Sequence, residues 1–440
     1  MHPFSEQTAP RWTEAHAART ANASLLARLL CASRARTLAL VDAYEAALGA
    51  GLPVPCSPQL NPPLWELGHI GWFQEYWLAR NPQRTMGTKA DPDAPRMASC
   101  LPHADALYNS SLVPHASRWH LPLPDLHATK AFLKTTLAAT LTLLADESNS
   151  DAALYFYRLA LFHEDMHSEA AVYMAQALGV ALPPTLAPML IPHCPSAATE
   201  SAQAIRFEAA DWSLGYANTA QATQPDQTAP GFAFDNELAP HTVTLNTYEV
   251  EDRPVSWRRY LPFIAAGAHT DPRYWSVAGW QWRTAQITAQ TPTQLGICPR
   301  YLRQSHPSTG GPVWEHFRFG QWHALNLDAP VCHLSYFEAE AWCRWAGRQL
   351  PTEAQWEQAA MTRPDFLWGE VWEWTASTFN PYPGFEAHPY RDYSAPWFGN
   401  RPVLRGASLA TSARMRHPRY RNYYTPERND IYAGFRTCVG

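Results

Sequence analysis

The chain has 440 residues, enough for two or three domains, and a formal net charge of -5. Its Lys and Arg residues form no basic stripe for nucleic acid, and no run of roughly 18 apolar residues predicts a transmembrane helix. The N-terminus lacks a signal-peptide pattern, and the eight cysteines show no C-x-x-C spacing. We therefore expect a cytoplasmic protein with reduced thiols that binds neither nucleic acid nor membrane.

Four amphipathic segments predict helices in the first part of the chain. They span about residues 13–48, 61–80, 125–146 and 151–178. Asn61 followed by two prolines is a good helix start, with Asn61 as the N-cap, and Gly179 is placed as a C-terminal glycine cap would be. A four-helix bundle is the economical arrangement for residues 1–180.

Two of these helices carry histidines that predict a metal site. The segment LFHEDMHSE at 161–169 places His163 and His167 four residues apart, hence on one helix face. His69 lies in the middle of an aromatic face on the second helix. Three imidazoles on neighbouring helices can hold Fe(II) with positions left open, although zinc accepts the same ligands and the spacing does not separate the two metals.

Beyond the bundle the pattern changes. Residues 181–204 are rich in Pro and Ala and are typical of a connector. Short strands are predicted at 242–245 and 248–250, and short helices at 256–265 and 335–346. Residues 205–440 are therefore predicted to form an α+β domain with much coil, which makes the fold class of the whole chain α plus α+β.

Several motifs in the second half resemble a known signature set. They are GRQLPTEAQWE at 347–357, GEVWEWT at 369–375, VLRGAS at 403–408 and AGFR at 433–436. In this order they resemble the formylglycine-generating-enzyme (sulfatase-modifying-factor) fold, which is related to C-type lectins. A DinB-like four-helix bundle with H-x-x-x-H-x-E joined to that domain resembles the ergothioneine-synthase (EgtB-like) family of non-haem iron sulfoxide synthases.

Two further segments are most similar to the selenoneine synthase branch of that family. These are LWELGHIGWFQE at 64–75, and Arg118-Trp119 ahead of LPLP at 121–124. This resemblance implies Fe(II) as the cofactor. It also implies hercynine, a selenosugar and O₂ as substrates, with a C–Se bond formed at the imidazole carbon between the two nitrogens of hercynine.

The resemblance also implies roles for individual residues. His69, His163 and His167 match the iron ligands, and Tyr382, in PYPGF, matches a tyrosine that donates a proton or electron during oxygen activation. Met166 stands where relatives often carry a glutamine that contacts the substrate imidazole. Asn422, Tyr423 and Tyr424 match a substrate-binding Asn-Trp-Asp segment, with Tyr424 at the acidic position, and Arg118 could reach a polar donor substrate. The quaternary ammonium of hercynine suits aromatic faces such as those of Tyr423 and Tyr424.

Other interpretations of the same residues remain open. An ergothioneine-type sulfoxide synthase would join hercynine to cysteine or γ-glutamylcysteine. A zinc-dependent DinB-like thiol transferase would not need O₂. In a lectin-like binding module without catalytic activity, the histidines would be structural. Helix periodicity places Glu169 off the ligand face, as a structural residue or one that orients an imidazole, and makes Glu164 and Asp165 ordinary helix charges. Buried salt bridges and packing are expected at the fold-signature positions, which are Arg348, Glu353, Trp372, Glu373, Trp374, Arg405 and Arg436.

Overall fold

The computed structural model describes residues 12–186, 202–217, 231–289, 298–306 and 312–440. Most of the predicted connector, at 187–201, lies outside these ranges, so its prediction is not addressed. Within the described ranges, no helix combines the length and apolar character needed to cross a membrane.

The N-terminal region consists of helices whose bounds follow local capping signals. They are α1 (Thr13–Arg19), α2 (Ala23–Leu48), α3 (Pro63–Trp77), α4 (Ala104–Tyr108), α5 (Leu126–Ala145) and α6 (Asp151–Leu178). The side chains of Asn22, Asp125 and Ser150 accept a backbone N–H in the first turns of α2, α5 and α6. Each satisfies a donor that a helix start leaves unpaired. Gly179 ends α6 at a φ of 69°, which glycine adopts without strain.

Two details of these helices bear on the sequence prediction. The segment at about 13–48 is predicted as one long or broken helix, and it is broken, because the chain leaves helical geometry before Asn22 and restarts after it. Asn61 is not the cap of α3, which begins after Pro62 without a side-chain cap. The Asn61 side-chain oxygen instead accepts a hydrogen bond from Arg118 at 2.8 Å. Pro62 occupies the N-cap position and has no side-chain oxygen, so α3 begins without a side-chain cap.

One buried arginine connects the four long helices. Arg34 of α2 donates to Glu164 of α6 and to Gln74 of α3, each at 2.8 Å, and to the backbone carbonyl of Leu133 in α5. Arg34 and Glu164 are both buried. The prediction that Glu164 is an ordinary helix charge is therefore wrong. A buried charge is tolerated only when it is paired, so this network fixes how the helices pack.

The C-terminal region mixes short strands and short helices. The helices are α7 (Trp257–Ala265), α8 (Val277–Ala289), α9 (Tyr336–Ala346) and α10 (Glu353–Thr362). The strands are β1 (Ala204–Phe207), β2 (Ala210–Leu214), β3 (His241–Leu245), β4 (Tyr248–Glu251), β5 (Leu302–Ser305), β6 (Val313–Arg318), β7 (Gln321–Ala324), β8 (Trp372–Thr378), β9 (Pro402–Gly406), β10 (Asn422–Tyr423), β11 (Ala433–Gly434) and β12 (Cys438–Val439). The predicted strands near 242 and 248 and helices near 256 and 335 are confirmed as β3, β4, α7 and α9.

These strands form four small sheets. The orders are β1-β4-β12, β10-β9-β8-β11, β2-β3 and β5-β6-β7. Every pairing is antiparallel except that of β11 with β8. In the described part of the chain, no sheet exceeds four strands.

Buried ion pairs hold the central sheet to its neighbours. Arg405 of β9 pairs with Glu357 of α10, and Arg436 pairs with Glu373 of β8. All four side chains are fully buried, and Trp374 lies in the same core. This confirms the expectation of buried salt bridges at Arg405, Glu373 and Arg436.

Helix α6 contacts the C-terminal region through two carboxylates. Glu169 accepts hydrogen bonds from the Trp372 indole N–H and the Ser408 hydroxyl, each at 2.7 Å. Asp165 is buried and accepts from Arg414 at 2.7 Å. Asp165 is therefore not an ordinary helix charge, contrary to the prediction. Both carboxylates instead attach α6 to loops of the C-terminal region.

Candidate metal centre

Three imidazoles converge between α3 and α6. The centroids of the His69 ring and the His163 and His167 rings are 5.0 Å apart, and those of His163 and His167 are 4.5 Å apart. One nitrogen from each ring can be chosen so that all three lie within 4.8 Å of one another. Among the described residues, this is the one group of three or more His, Cys, Asp or Glu side chains with such geometry.

Neighbouring acceptors fix which nitrogen two of the three imidazoles present. Nδ1 of His69 lies 2.7 Å from the backbone carbonyl of Tyr108, and Nδ1 of His167 contacts the Glu66 carboxylate. A carbonyl oxygen only accepts, so Nδ1 of His69 is the protonated nitrogen, and a carboxylate has the same effect on His167. In both rings Nε2 keeps its lone pair. The Nε2 atoms of His163 and His167 lie 3.2 Å apart and face the shared space.

Burial favours the neutral form of two of the three imidazoles. Burial, and then the charge of His167, lowers the pKa of His69 to about 3, and burial lowers the pKa of His163 well below its usual value. Burial alone would raise the pKa of Glu66, but the charge and hydrogen bond of His167 lower it overall. The site therefore combines two imidazoles held in the neutral form, the form that binds metals, with one orienting carboxylate.

Aromatic side chains enclose the imidazoles. The Trp65 ring stacks on His69 at 4.8 Å, and the Phe73 ring stacks on His163 at 3.5 Å between centroids. Tyr390, from a loop of the C-terminal region, presents its ring edge-on, 6.3 Å from that of His163. These rings pack against His69 and His163, which are both buried.

The donor set suits a first-row transition metal. Three neutral imidazole nitrogens are ligands that Fe(II) and Zn(II) both accept, whereas Mg²⁺ and Ca²⁺ prefer oxygen ligands. The Glu66 carboxylate contacts a ring N–H rather than the shared space, as is common behind a metal-bound histidine. The residues present therefore fit a three-histidine metal site.

Met166 and Arg118 contact aromatic side chains around the site. The Met166 sulfur lies 3.4 Å from the Tyr420 hydroxyl, which in turn lies 3.1 Å from the Tyr393 hydroxyl. The Arg118 guanidinium lies 3.8 Å from the centroid of the Trp65 ring, which itself stacks on His69. Arg118 therefore approaches the imidazoles through Trp65, and Met166 contacts Tyr420 of the C-terminal region.

The segment 422–424 reaches the same region through its tyrosines. The Tyr423 ring stacks on Phe379 at 3.9 Å, and its hydroxyl donates to the backbone carbonyl of Tyr393. Burial, and then the nearby Tyr173 of α6, raises the pKa of Tyr424. The side-chain oxygen of Asn422 accepts the backbone N–H of Tyr423. Tyr424 therefore approaches α6, whereas Asn422 and Tyr423 contribute mainly to packing of their own loop.

The structure does not bring Tyr382 into contact with the imidazoles. Its hydroxyl donates to Glu353 at 3.1 Å, and the Arg421 guanidinium lies 4.0 Å from its ring centroid. The ring also packs against His241 at 4.6 Å. Tyr390 is the tyrosine whose ring contacts a predicted metal ligand.

Comparison with known proteins places these features in a family. The family described as the sulfatase-modifying factor enzyme 1-like domain matches residues 217–370 and 365–439. A hercynine oxygenase of Mycobacterium tuberculosis is 32% identical, over 93% of this chain and 97% of its own length. The chain belongs to the hercynine oxygenase family. A hercynine oxygenase of Mycolicibacterium thermoresistibile is 31% identical, over 93% of this chain and 94% of its own.

A shorter relative matches only the C-terminal region. The formylglycine-generating enzyme of Mycobacterium tuberculosis is 32% identical over 39% of this chain and 61% of its own length. These matches confirm the predicted EgtB-like family and the predicted sulfatase-modifying-factor domain in the C-terminal half. The DinB-like character of the N-terminal helices and the selenoneine synthase branch remain predictions.

Sequence analysis missed several residues of the site, for different reasons. Glu66 is three residues before His69, so a carboxylate beside the ligands was visible, but its contact with His167 on another helix was not. Tyr390 and Tyr420 belong to loops more than 200 residues away in sequence, and no local pattern marks them. Glu169 does not orient an imidazole, because its carboxylate is bound by Trp372 and Ser408.

Proposed function

We propose that the protein is a selenoneine synthase, an Fe(II)- and O₂-dependent enzyme that joins hercynine to a selenosugar through a C–Se bond. The observation that carries the proposal is the convergence of three imidazoles in a chain of the hercynine oxygenase family. The sequence of residues 64–75 and the pair Arg118-Trp119 resemble the selenoneine synthase branch, which supports the selenium reaction.

The proposed reaction balances with one molecule of O₂. Replacing the imidazole C–H and the selenol Se–H by a C–Se bond releases two protons and two electrons. Oxidation of the selenide to the selenoxide releases two more electrons. O₂ accepts all four electrons, and its two atoms end as the selenoxide oxygen and one water. When bound, Fe(II) would supply the redox chemistry that activates O₂.

The chain's own residues hold and orient the reactants. His69, His163 and His167 would hold the metal through Nε2, with Tyr108 and Glu66 fixing two of the rings. The aromatic enclosure keeps water out, which strengthens electrostatic interactions at the site. Aromatic faces such as that of Tyr424 would bind the quaternary ammonium of hercynine.

Two tyrosines are candidates for the residue that donates a proton or electron during oxygen activation. Tyr382 matches the family motif, and its hydroxyl donates to Glu353. Tyr390 lies beside His163, and no hydrogen bond to its hydroxyl is formed within the described ranges. Parallel Tyr382→Phe and Tyr390→Phe variants distinguish them, because the donor's loss lowers the rate of product formation without releasing metal.

The decisive experiment is a comparison of donors. The protein is loaded with Fe(II) anaerobically, then exposed to O₂ with hercynine and either a selenosugar, cysteine or γ-glutamylcysteine, and products are identified by mass spectrometry. A hercynine–selenium adduct from the selenosugar supports the proposal. A sulfoxide from a thiol instead would assign the sulfur reaction, and no product with any donor would refute both.

A matched pair of histidine variants provides the control. His163→Ala removes a proposed ligand, whereas His417→Ala removes an equally buried histidine whose Nδ1 accepts the backbone N–H of Arg419. We expect loss of iron and product only in His163→Ala. Equal iron content in both variants would remove His163 from the metal site.

A further inference from the structure

A cavity separate from the metal centre lies where the C-terminal end of α6 meets the β6–β7 hairpin. We call it the hairpin cavity, lined among others by Gln176, Trp257, His316, Arg318, Phe319, His333 and Tyr432. The cavity is small and partly open to solvent. Gln176 is nine residues beyond His167, hence about 13 Å further along the helix.

The walls of the hairpin cavity carry polar atoms without protein partners. Nε2 of His316 and the hydroxyl of Tyr432 are buried and form no hydrogen bond within the described part of the chain. His333 lies beside them, and its ring interacts with the backbone of Asp430. These three side chains are 6%, 8% and 1% exposed. Buried polar groups are nearly always hydrogen-bonded, so this concentration of unpaired groups indicates a ligand that pairs with them.

The backbone around this cavity adopts an uncommon conformation. Five non-glycine residues of the described chain have a positive φ, and three of them surround the hairpin cavity. Phe319, at 43°, and His333, at 61°, line it, and Tyr301, at 62°, packs its ring 4.8 Å from that of His333. Such residues cost free energy and cluster at binding sites, where the strained backbone aims side chains inward.

The charge of the cavity favours an anion. Arg318 lines it and forms no ion pair with any described residue. Burial lowers the pKa of His316 to about 3, so that ring stays neutral and offers one donor and one acceptor. Glu370 also lines the cavity, and it contributes to the charged surroundings of Arg253, which pairs with Asp252.

We propose that the hairpin cavity binds a small organic acid with a single flat aromatic or heteroaromatic ring. The carboxylate pairs with Arg318, as guanidinium groups do with planar carboxylates. The ring packs against the apolar faces of Trp257 and Phe319, and a polar ring atom pairs with His316 or Tyr432. This ligand is bound, not transformed, and its site is independent of the proposed reaction.

Isothermal titration of the iron-loaded protein tests the proposal. The probes are nicotinate, benzoate and the uncharged nicotinamide. We expect one equivalent of nicotinate to bind, benzoate to bind more weakly because it lacks the ring nitrogen, and nicotinamide to bind at least tenfold more weakly. If neither acid binds at millimolar concentration, or if nicotinamide binds as well as nicotinate, the proposal is wrong.

Two variants locate the binding. Arg318→Gln removes the charge from a half-buried side chain, and His316→Leu replaces an unpaired polar ring by an apolar group of similar size. Both should weaken nicotinate binding at least tenfold while iron content stays at the wild-type level. Unchanged nicotinate affinity in Arg318→Gln would place the acid elsewhere, including at the metal, and would overturn the assignment even if His316→Leu failed to fold.

Discussion

Glu66 provides a sharp test of the metal centre, because it touches a proposed ligand without being one. Its carboxylate accepts the Nδ1 proton of His167 and is only 7% exposed. Removing such a partner behind a metal-bound histidine costs roughly tenfold to a hundredfold in metal affinity, or about 1.4–2.7 kcal/mol. Glu66→Gln keeps an acceptor oxygen, so the affinity of this variant for Fe(II) should fall about tenfold. Glu66→Ala leaves the ring N–H of His167 unpaired, so the loss of Fe(II) affinity should approach about a hundredfold.

The assay is a competition titration of Fe(II) between the protein and a chromophoric chelator under anaerobic conditions. Glu75→Gln is the matched control, because Glu75 lies on the same helix and is 5% exposed. Its carboxylate is bound by the Ser99 hydroxyl and the Cys100 backbone N–H, not by an imidazole. We expect iron affinity in Glu75→Gln to stay within about threefold of wild type. The reasoning is refuted if Glu66→Ala holds iron as tightly as the wild-type protein does.

Three further predictions concern stability. In Gly68→Ala the new Cβ would lie 2.2 Å from the Tyr108 ring, so we expect the free energy of unfolding in urea to fall by about 1–3 kcal/mol. The pKa of His316 is about 3 in the folded state, below its value of about 6.5 in the unfolded state. The unfolded state therefore binds a proton that the folded state does not, and the folded state loses stability as the pH falls below about 6.5. Relative to His316→Gln, wild-type stability should fall by about 1.4 kcal/mol per pH unit in that window. Arg436→Met leaves Glu373 buried and unpaired and should cost about 3–5 kcal/mol.

Each of these predictions has a control. Gly51→Ala adds a Cβ where no atom lies within 4 Å and should change stability little, so an equal loss in both glycine variants would contradict the steric argument. Parallel pH profiles for the wild type and His316→Gln would show that His316 is not neutral in the folded state. The double variant Arg436→Met with Glu373→Leu should recover much of the lost stability, and no recovery would mean that the charge was not the cause.

Local patterns in the sequence predict the helices that carry the histidines. The four-residue spacing of His163 and His167 fixes their common helix face, and the second helix places His69 on an aromatic face. Their convergence depends on helix packing, which amphipathic periodicity indicates only in general terms. The metal site was therefore predictable as a ligand set, but its orienting groups, Glu66 and the Tyr108 carbonyl, depend on contacts between different helices.

The C-terminal contribution to the site was less accessible to sequence reasoning. Loops that cross from one sheet to another have no periodicity, so nothing local shows that Tyr390 approaches His163 or that Tyr420 approaches Met166. The prediction that Asp165 is an ordinary helix charge was wrong for a related reason. A helix surface that faces solvent in an isolated bundle is covered here by the loop that carries Arg414.

The attachment of α6 limits how this architecture can be recombined. The helix that supplies His163 and His167 also supplies Asp165 and Glu169, whose partners Arg414, Trp372 and Ser408 come from the C-terminal region. A chimera that takes its N-terminal half from a relative with different residues at these positions would leave buried carboxylates without donors. Modular exchange between relatives therefore requires that both sides of this interface be transplanted together.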